Sequence, residues 1–299
     1  MKKKSSLFIF AAALAAAVPA SACINESGTN KHGYYVMPVG YVGERLKPYL
    51  VTPPDKSELV EWSGYVVADA RKKPNFSNLI DLSAVLIRFG KLPEAVRLLQ
   101  FLEQKYPGKY QIASNIGTAY ELMGRNEDAL KWITEGMRRN PEDHFGTEWL
   151  HAEILKAKLG QIPNPAQNRS ILNLDFGNET MPKRPTALPL ANKGKQASLF
   201  DVGIALRYQL LERIKFVAAP DPMVAGMLLD WANLELLAGS VESADVLYDA
   251  ALRYGSKEGP LIKLRKKQVA LILAEAKANP RRNPKDGECE LCMYPNPPQ

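Results

Sequence analysis

Apolar residues recur along the middle of the chain with the spacing of helix faces, and that spacing itself repeats. Leu79, Leu82 and Leu86 lie on one side of a segment that stops at Gly90. A second periodic segment opens near Pro93, where proline is tolerated in a first helical turn. It carries Ala95, Leu98, Leu99 and Leu102 to a stop at Pro107-Gly108. The same order then returns: Ile112–Met123 ends at Gly124, and Asp128–Arg139 ends at Asn140-Pro141. Leu82, Leu86, Gly90, Ala95, Leu99 and Pro107 become Ile116, Tyr120, Gly124, Ala129, Ile133 and Pro141, each shifted by 34 residues. A period of that length marks stacked helical hairpins, in which a small residue such as Ala95 or Ala129 lets two helices approach closely. Later, Leu228, Trp231, Ala232, Gly239, Ala244, Tyr248 and Ala251 keep the same mutual offsets.

The step from Ala129 to Ala244 is 115 residues, not a multiple of 34, so something is inserted. Glu148–Gly160 reads as the first helix of a third copy, and Leu199–Val217 as its delayed second helix. Between them, Gln161–Ala197 is rich in Pro, Asn and Lys, with one apolar stretch at Ile171–Phe176. A loop of that length is expected to be functional or mobile. The expected organisation is a leader (1–22), a glycine- and aromatic-rich arm of extended chain or short strands (23–54) and a capping helix (55–75). Repeats (76–160), the insertion (161–197) and further repeats (198–256) follow. A final amphipathic capping helix (257–279) and a Pro-rich tail (280–299) complete it.

The register resembles the tetratricopeptide repeat. That resemblance implies an all-α, right-handed α-solenoid that holds a peptide or protein partner on its concave surface, lined by the first helix of each pair. Carried over by position, the first copy supplies Ile80, Asp81, Ala84, Ile87 and Arg88. The second supplies Gln111, Ser114, Asn115, Thr118 and Glu121, and the third Phe145, Glu148, Trp149, Leu155 and Lys156. Asp81, Arg88, Asn115, Glu121, Glu148, Trp149 and Lys156 are the candidate partner-binding residues. Trp149 is either an aromatic anchor of the kind that dominates binding hot spots or a residue packed under the 161–197 insertion. Repeats that clamp a C-terminal carboxylate need several Lys, Arg and Asn at these positions, and only Asn115 matches.

Candidate chemistry changes the picture mainly at the ends. Lys2, Lys3 and Lys4, the apolar Leu7–Val18 and Ala20-Ser21-Ala22 have the layout of a secretory signal peptide, so an exported protein is expected. Cleavage would leave Cys23 first. A lipoprotein signal usually has Leu three residues before the modified cysteine; here stands Ala20, and ordinary cleavage competes with lipidation. Cys289 and Cys292 are a candidate disulfide, which would leave Cys23 unpaired and favour lipid there. A bond from Cys23 to the tail is the alternative. The pair lies among Gly287, Pro295, Pro297 and Pro298 rather than at a helix start, which argues against thiol redox chemistry.

The net charge of +7 falls to about +4 without the three leader lysines. Much of it sits in Lys263, Arg265, Lys266, Lys267, Arg281 and Arg282. The cluster reads as a solvated helix face, with anionic lipid headgroups or an acidic partner as competing uses. Nucleic acid is not expected, because aromatic residues do not interleave the basic stretch. His144, Glu148 and His151 stand at i, i+4 and i+7, a spacing that a metal could use. However, His144 falls at or before the helix start and His151 takes a packing position. No Gly-x-Ser-x-Gly, phosphate-binding glycine loop or His-Glu-x-x-His is present. The expectation is an exported, non-catalytic binder without metal or cofactor, free in the periplasm. A lipid-tethered envelope scaffold is the alternative, with a metal-dependent or redox enzyme behind it.

Overall fold

The computed structural model describes residues 27–51, 56–162, 170–282 and 288–292; the leader, Cys23 and most of the Pro-rich tail lie outside them. After a short antiparallel pair, β1 (Gly28–Thr29) and β2 (Tyr35–Val36), the described chain is helical. Helices α1 (Lys47–Val51) and α2 (Lys56–Lys72) precede two hairpins. These are α3 (Phe76–Arg88) with α4 (Leu92–Lys105), and α5 (Tyr110–Leu122) with α6 (Asn126–Arg139). A single turn, α7 (Asp143–Gly146), leads into α8 (Glu148–Lys158). Beyond the insertion come α9 (Leu199–Arg213), the hairpin α10 (Pro222–Ala238) and α11 (Val241–Arg253), and α12 (Gly259–Ala278).

The repeat register has a local cause. Gly90 and Gly124 have φ of 69° and 77°, a left-handed conformation that glycine adopts without steric cost. At each, the next residue's N–H reaches back to the helix: Lys91 N to Leu86 O at 2.8 Å, Arg125 N to Tyr120 O at 2.9 Å. This closes the helix end and turns the chain into the second helix of the pair. Ala95, Ala129 and Ala244 are fully buried at the hairpin contacts. In the second hairpin the approach is tighter still, since a Cβ at Gly117 would lie 2.6 Å from the Ile133 side chain. These tetratricopeptide-like hairpins stack into an all-α solenoid.

Helix α8 joins two cores. Its Ala152 and Leu155 pack with Ile112, Ile116 and Ile133 of the N-terminal repeats. Its Trp149, Leu150, Ile154 and Ala157 pack with α9, α10 and α11. A helix buried on most sides in this way needs apolar residues around its circumference. Trp149 is therefore a core residue, 4% exposed, and does not serve as a groove anchor. It shares its cluster with Ile171, Leu172 and Phe176 of the insertion, as the packing alternative had it.

Residues 170–197 are ordered by two clamps. Arg265 of α12, fully buried, donates to the backbone oxygens of Phe176, Gly177 and Glu179, and to Asn233 Oδ1 at 2.6 Å. Asn192 Nδ2 donates to Gly146 O at 2.8 Å and to Pro141 O. The described part of the insertion, residues 170–197, is a packed strap. Arg265 is likewise removed from the solvated basic face, and Lys266 is paired with Asp249 at 2.6 Å and Asp245 at 3.0 Å. Helix α9 packs chiefly on α10 rather than as the close partner of α8. Cys289 and Cys292 are joined to each other, while Cys23, the alternative partner for the tail, lies outside the described residues. Leu291 between them sits against Gly203 and Gly239.

Removing a buried donor leaves its acceptors unsatisfied, at a cost of about 1–3 kcal/mol for such a group. Arg265→Leu is expected to lower unfolding stability by at least about that amount and to raise amide hydrogen exchange in 170–182 above that of the helices. Urea unfolding with exchange mass spectrometry checks both.

Candidate functional site

Helices α3, α5 and α8 present their inner faces to a cleft of about 280 Å³, closed on the far side by α9 and overhung by Trp62 of α2. Of the candidate partner-binding residues, Arg88, Asn115, Glu121 and Glu148 line it, with Ala84, Ile87 and Thr118. The others are elsewhere. Asp81 is exposed on α3. Lys156 pairs with Glu153 one turn back, at 2.7 Å. Gln111 is outside the lining, Ser114 and Leu155 are buried, and Phe145 is 68% exposed beside Tyr208.

The far wall explains why the groove is narrow. Gln209, Arg213 and Phe216 stand at i, i+4 and i+7, and each meets a different first helix. Gln209 Nε2 donates to Glu148 of α8 at 3.2 Å. Arg213 Nη1 donates to Glu121 of α5 at 2.7 Å. Phe216, just past the end of α9, takes the Arg88 guanidinium of α3 at 5.6 Å from its ring centre. The chain lays its own α9 across the surface where the repeat resemblance places a partner. Tyr208, Gln209, Glu212, Arg213 and Phe216, along with Trp62, His144, His151 and Lys158, belong to the lining but not to the candidates read from the sequence. The polar Gln209 and Arg213 at helical spacing within the mostly apolar Leu199–Val217 segment were the available signal.

Behind the cleft runs a line of alternating charges. His144 Nδ1 is 2.6 Å from Glu148 Oε1, and Glu148 Oε2 is 3.4 Å from His151 Nδ1. His151 Nε2 is 2.7 Å from Glu121 Oε2, while Glu121 Oε1 also accepts from Lys158 at 2.6 Å and Arg213 at 2.7 Å. Burial pushes His151 down, but Glu121 and Glu148 outweigh it and hold it up at about 9. Charged, it donates from both nitrogens. Burial pushes Glu121 up, yet Arg213 and His151 hold it well below the carboxylate range. Glu148 is held down likewise by its hydrogen bonds to His144 and His151, against burial. Burial also opposes His144, which Glu148, Asp143 and Glu212 hold above its ordinary value.

These imidazoles are committed to carboxylates, and among the described residues no group of three or more His, Cys, Asp or Glu is placed to hold a metal. His144 owes its position to an unusual turn. It and Phe145 have φ of 51° and 59°, left-handed values that cost a side-chain-bearing residue on the order of 1–3 kcal/mol. Asn192 of the strap, Thr147 Oγ1 on the His144 carbonyl at 2.7 Å, and Tyr208 stacked on the His144 ring at 5.0 Å hold it there.

A second buried acid adds to the pH behaviour. Burial pushes Asp230 up to about 8, against a hydrogen bond from Ser170. Both Asp230 and His151 bind a proton more tightly folded than unfolded. The stability they give is complete below their unfolded values and is lost as pH rises through about 8 and about 9. The melting temperature is therefore expected to fall between roughly pH 6.5, the unfolded histidine value, and pH 9. His151→Asn is expected to flatten the upper part of that decline, which differential scanning calorimetry across the range checks.

Against solved structures, the chain is similar to a crystal structure of a tetratricopeptide repeat protein from Parabacteroides merdae. Identity is 15%, coverage 75% of this chain and 98% of that one, and the TM-score 0.28. No family model and no curated protein matches the chain. The tetratricopeptide-like character is carried by the register of the two N-terminal hairpins and their glycine stops.

Proposed function

We propose that this is an exported, non-catalytic repeat protein that binds a peptide or protein partner in the cleft between its first helices and α9. The observation that carries the reading is the convergence of Arg88, Asn115, Glu121 and Glu148, from three successive repeats, on one concave opening. The signal-peptide-like layout of residues 1–22 supports export. The non-catalytic reading is supported by the commitment of His144 and His151 to the carboxylates of Glu148 and Glu121. A lipid-tethered form is the second reading. The Cys289–Cys292 bond favours it, because it leaves Cys23 without a partner among the chain's three cysteines.

A photo-reactive residue at Asn115, in the cleft, is expected to give a discrete crosslinked adduct in cells. The same residue at the exposed Lys131 of α6 is expected to give none. Equal labelling from both positions would remove the cleft from consideration. For the second reading, the intact mass of mature protein from membrane fractions is expected to carry a diacyl or triacyl increment on Cys23; an unmodified soluble chain would set tethering aside.

A further inference from the structure

The charges of the cleft are not balanced along its length. At the end formed by α3 and α5, the Glu121 carboxylate accepts from three cations, His151, Lys158 and Arg213. Arg88 lines the same cleft and has no carboxylate partner among the described residues; its one contact there is the face of Phe216. The positive charge at this end exceeds the negative. At the other end, His144 is faced by Glu148, Asp143 and Glu212, so the excess there is not positive. The same end also carries apolar lining, with Ile87 next to Arg88 on α3, Leu122 next to Glu121 on α5, and Trp62 of α2. Trp62 is 40% exposed on the half of α2 that extends beyond its packing residues Val66 and Ala70.

We propose that the cleft receives an acidic segment of the partner, with a carboxylate entering between Arg88 and Lys158 and a neighbouring apolar side chain against Ile87, Leu122 and Trp62. This rests on the peptide-binding reading above and names the chemistry of the peptide. Arg88 is suited to the task because its planar guanidinium pairs a carboxylate through two parallel hydrogen bonds, and it is already stacked on a ring that fixes its orientation. Lys158, with 31% of its side chain exposed, can turn toward the incoming group while Arg213 and His151 keep Glu121 satisfied. A basic segment would meet Arg88 and the surplus on Glu121 unscreened.

The test is fluorescence anisotropy of the purified mature protein with three labelled pentapeptides that differ only in the residues flanking a central leucine: glutamate, glutamine or lysine. The glutamate peptide is expected to bind about tenfold more tightly than the glutamine one, the value of one charged hydrogen-bonded pair. The lysine peptide is expected to be weakest. Arg88→Gln is expected to abolish the glutamate preference and Arg88→Lys to restore part of it. Lys131→Gln, on exposed α6, is expected to change nothing. Equal affinity for the three peptides in the cleft would overturn the acidic inference while the peptide-binding reading stood. Failure of all three at millimolar concentration would overturn it too, and the Asn115 crosslink would then judge the broader reading alone. If Arg88 only completes the C-terminal turn of α3, Arg88→Gln would lower the melting temperature and leave the preference intact. Competition by inorganic phosphate as strong as by the glutamate peptide would make this a general anion site and overturn the proposal.

Discussion

The carboxylate of Glu121 is the point on which the interior of this molecule turns. It is buried, and a buried charge costs several kcal/mol unless other charges and hydrogen bonds surround it. Those partners come from two other helices: His151 and Lys158 from α8, Arg213 from α9. Meeting that requirement fixes where α8 lies against α5 and where α9 crosses them both. His151, made cationic by the arrangement, in turn holds Glu148, and Glu148 holds His144 at the cleft edge. Helix packing sets the solenoid, but this line of charges decides which side chains the cleft displays.

The hairpins were legible because their causes are local. A glycine at a helix stop, an alanine at a close contact and apolar residues at helical spacing each leave a mark at one position, and the marks recur. Arg88, Asn115, Glu121 and Glu148 were likewise reachable, since the repeat register alone puts them on the inner faces. For Trp149 the register left two readings open, anchor or packed residue, because position within a repeat does not say what lies on the other side. The insertion returns Ile171, Leu172 and Phe176 to the core beside it. The same holds for α9. Its groove contacts join residues 92 and 61 positions apart, from Arg213 to Glu121 and from Gln209 to Glu148. Nothing in local periodicity encodes such a meeting.

The insertion also has a role that its composition hides. Pro, Asn and Lys suggest a solvated excursion, yet its backbone carbonyls satisfy Arg265 and its Asn192 satisfies the left-handed turn at His144. The strap therefore couples the last helix to the lip of the cleft. The basic residues of α12 divide accordingly: Arg265 is structural and Lys266 is neutralised by Asp245 and Asp249. Counting charges along a helix gives its net sign but not which of them remain available to solvent.

Helix α9 has a further consequence for how tightly anything else can bind. Because it is covalently part of the chain, its effective concentration at the groove does not fall on dilution, and for such tethered elements it is on the order of millimolar or more. A peptide that competed for the same contacts would have to overcome that standing occupancy before any of its own affinity became visible. One that used only the residual space would escape the penalty altogether. On the peptide-binding reading, the cleft would filter by geometry: it would discount partners that mimic its own helix and leave undiminished those that do not.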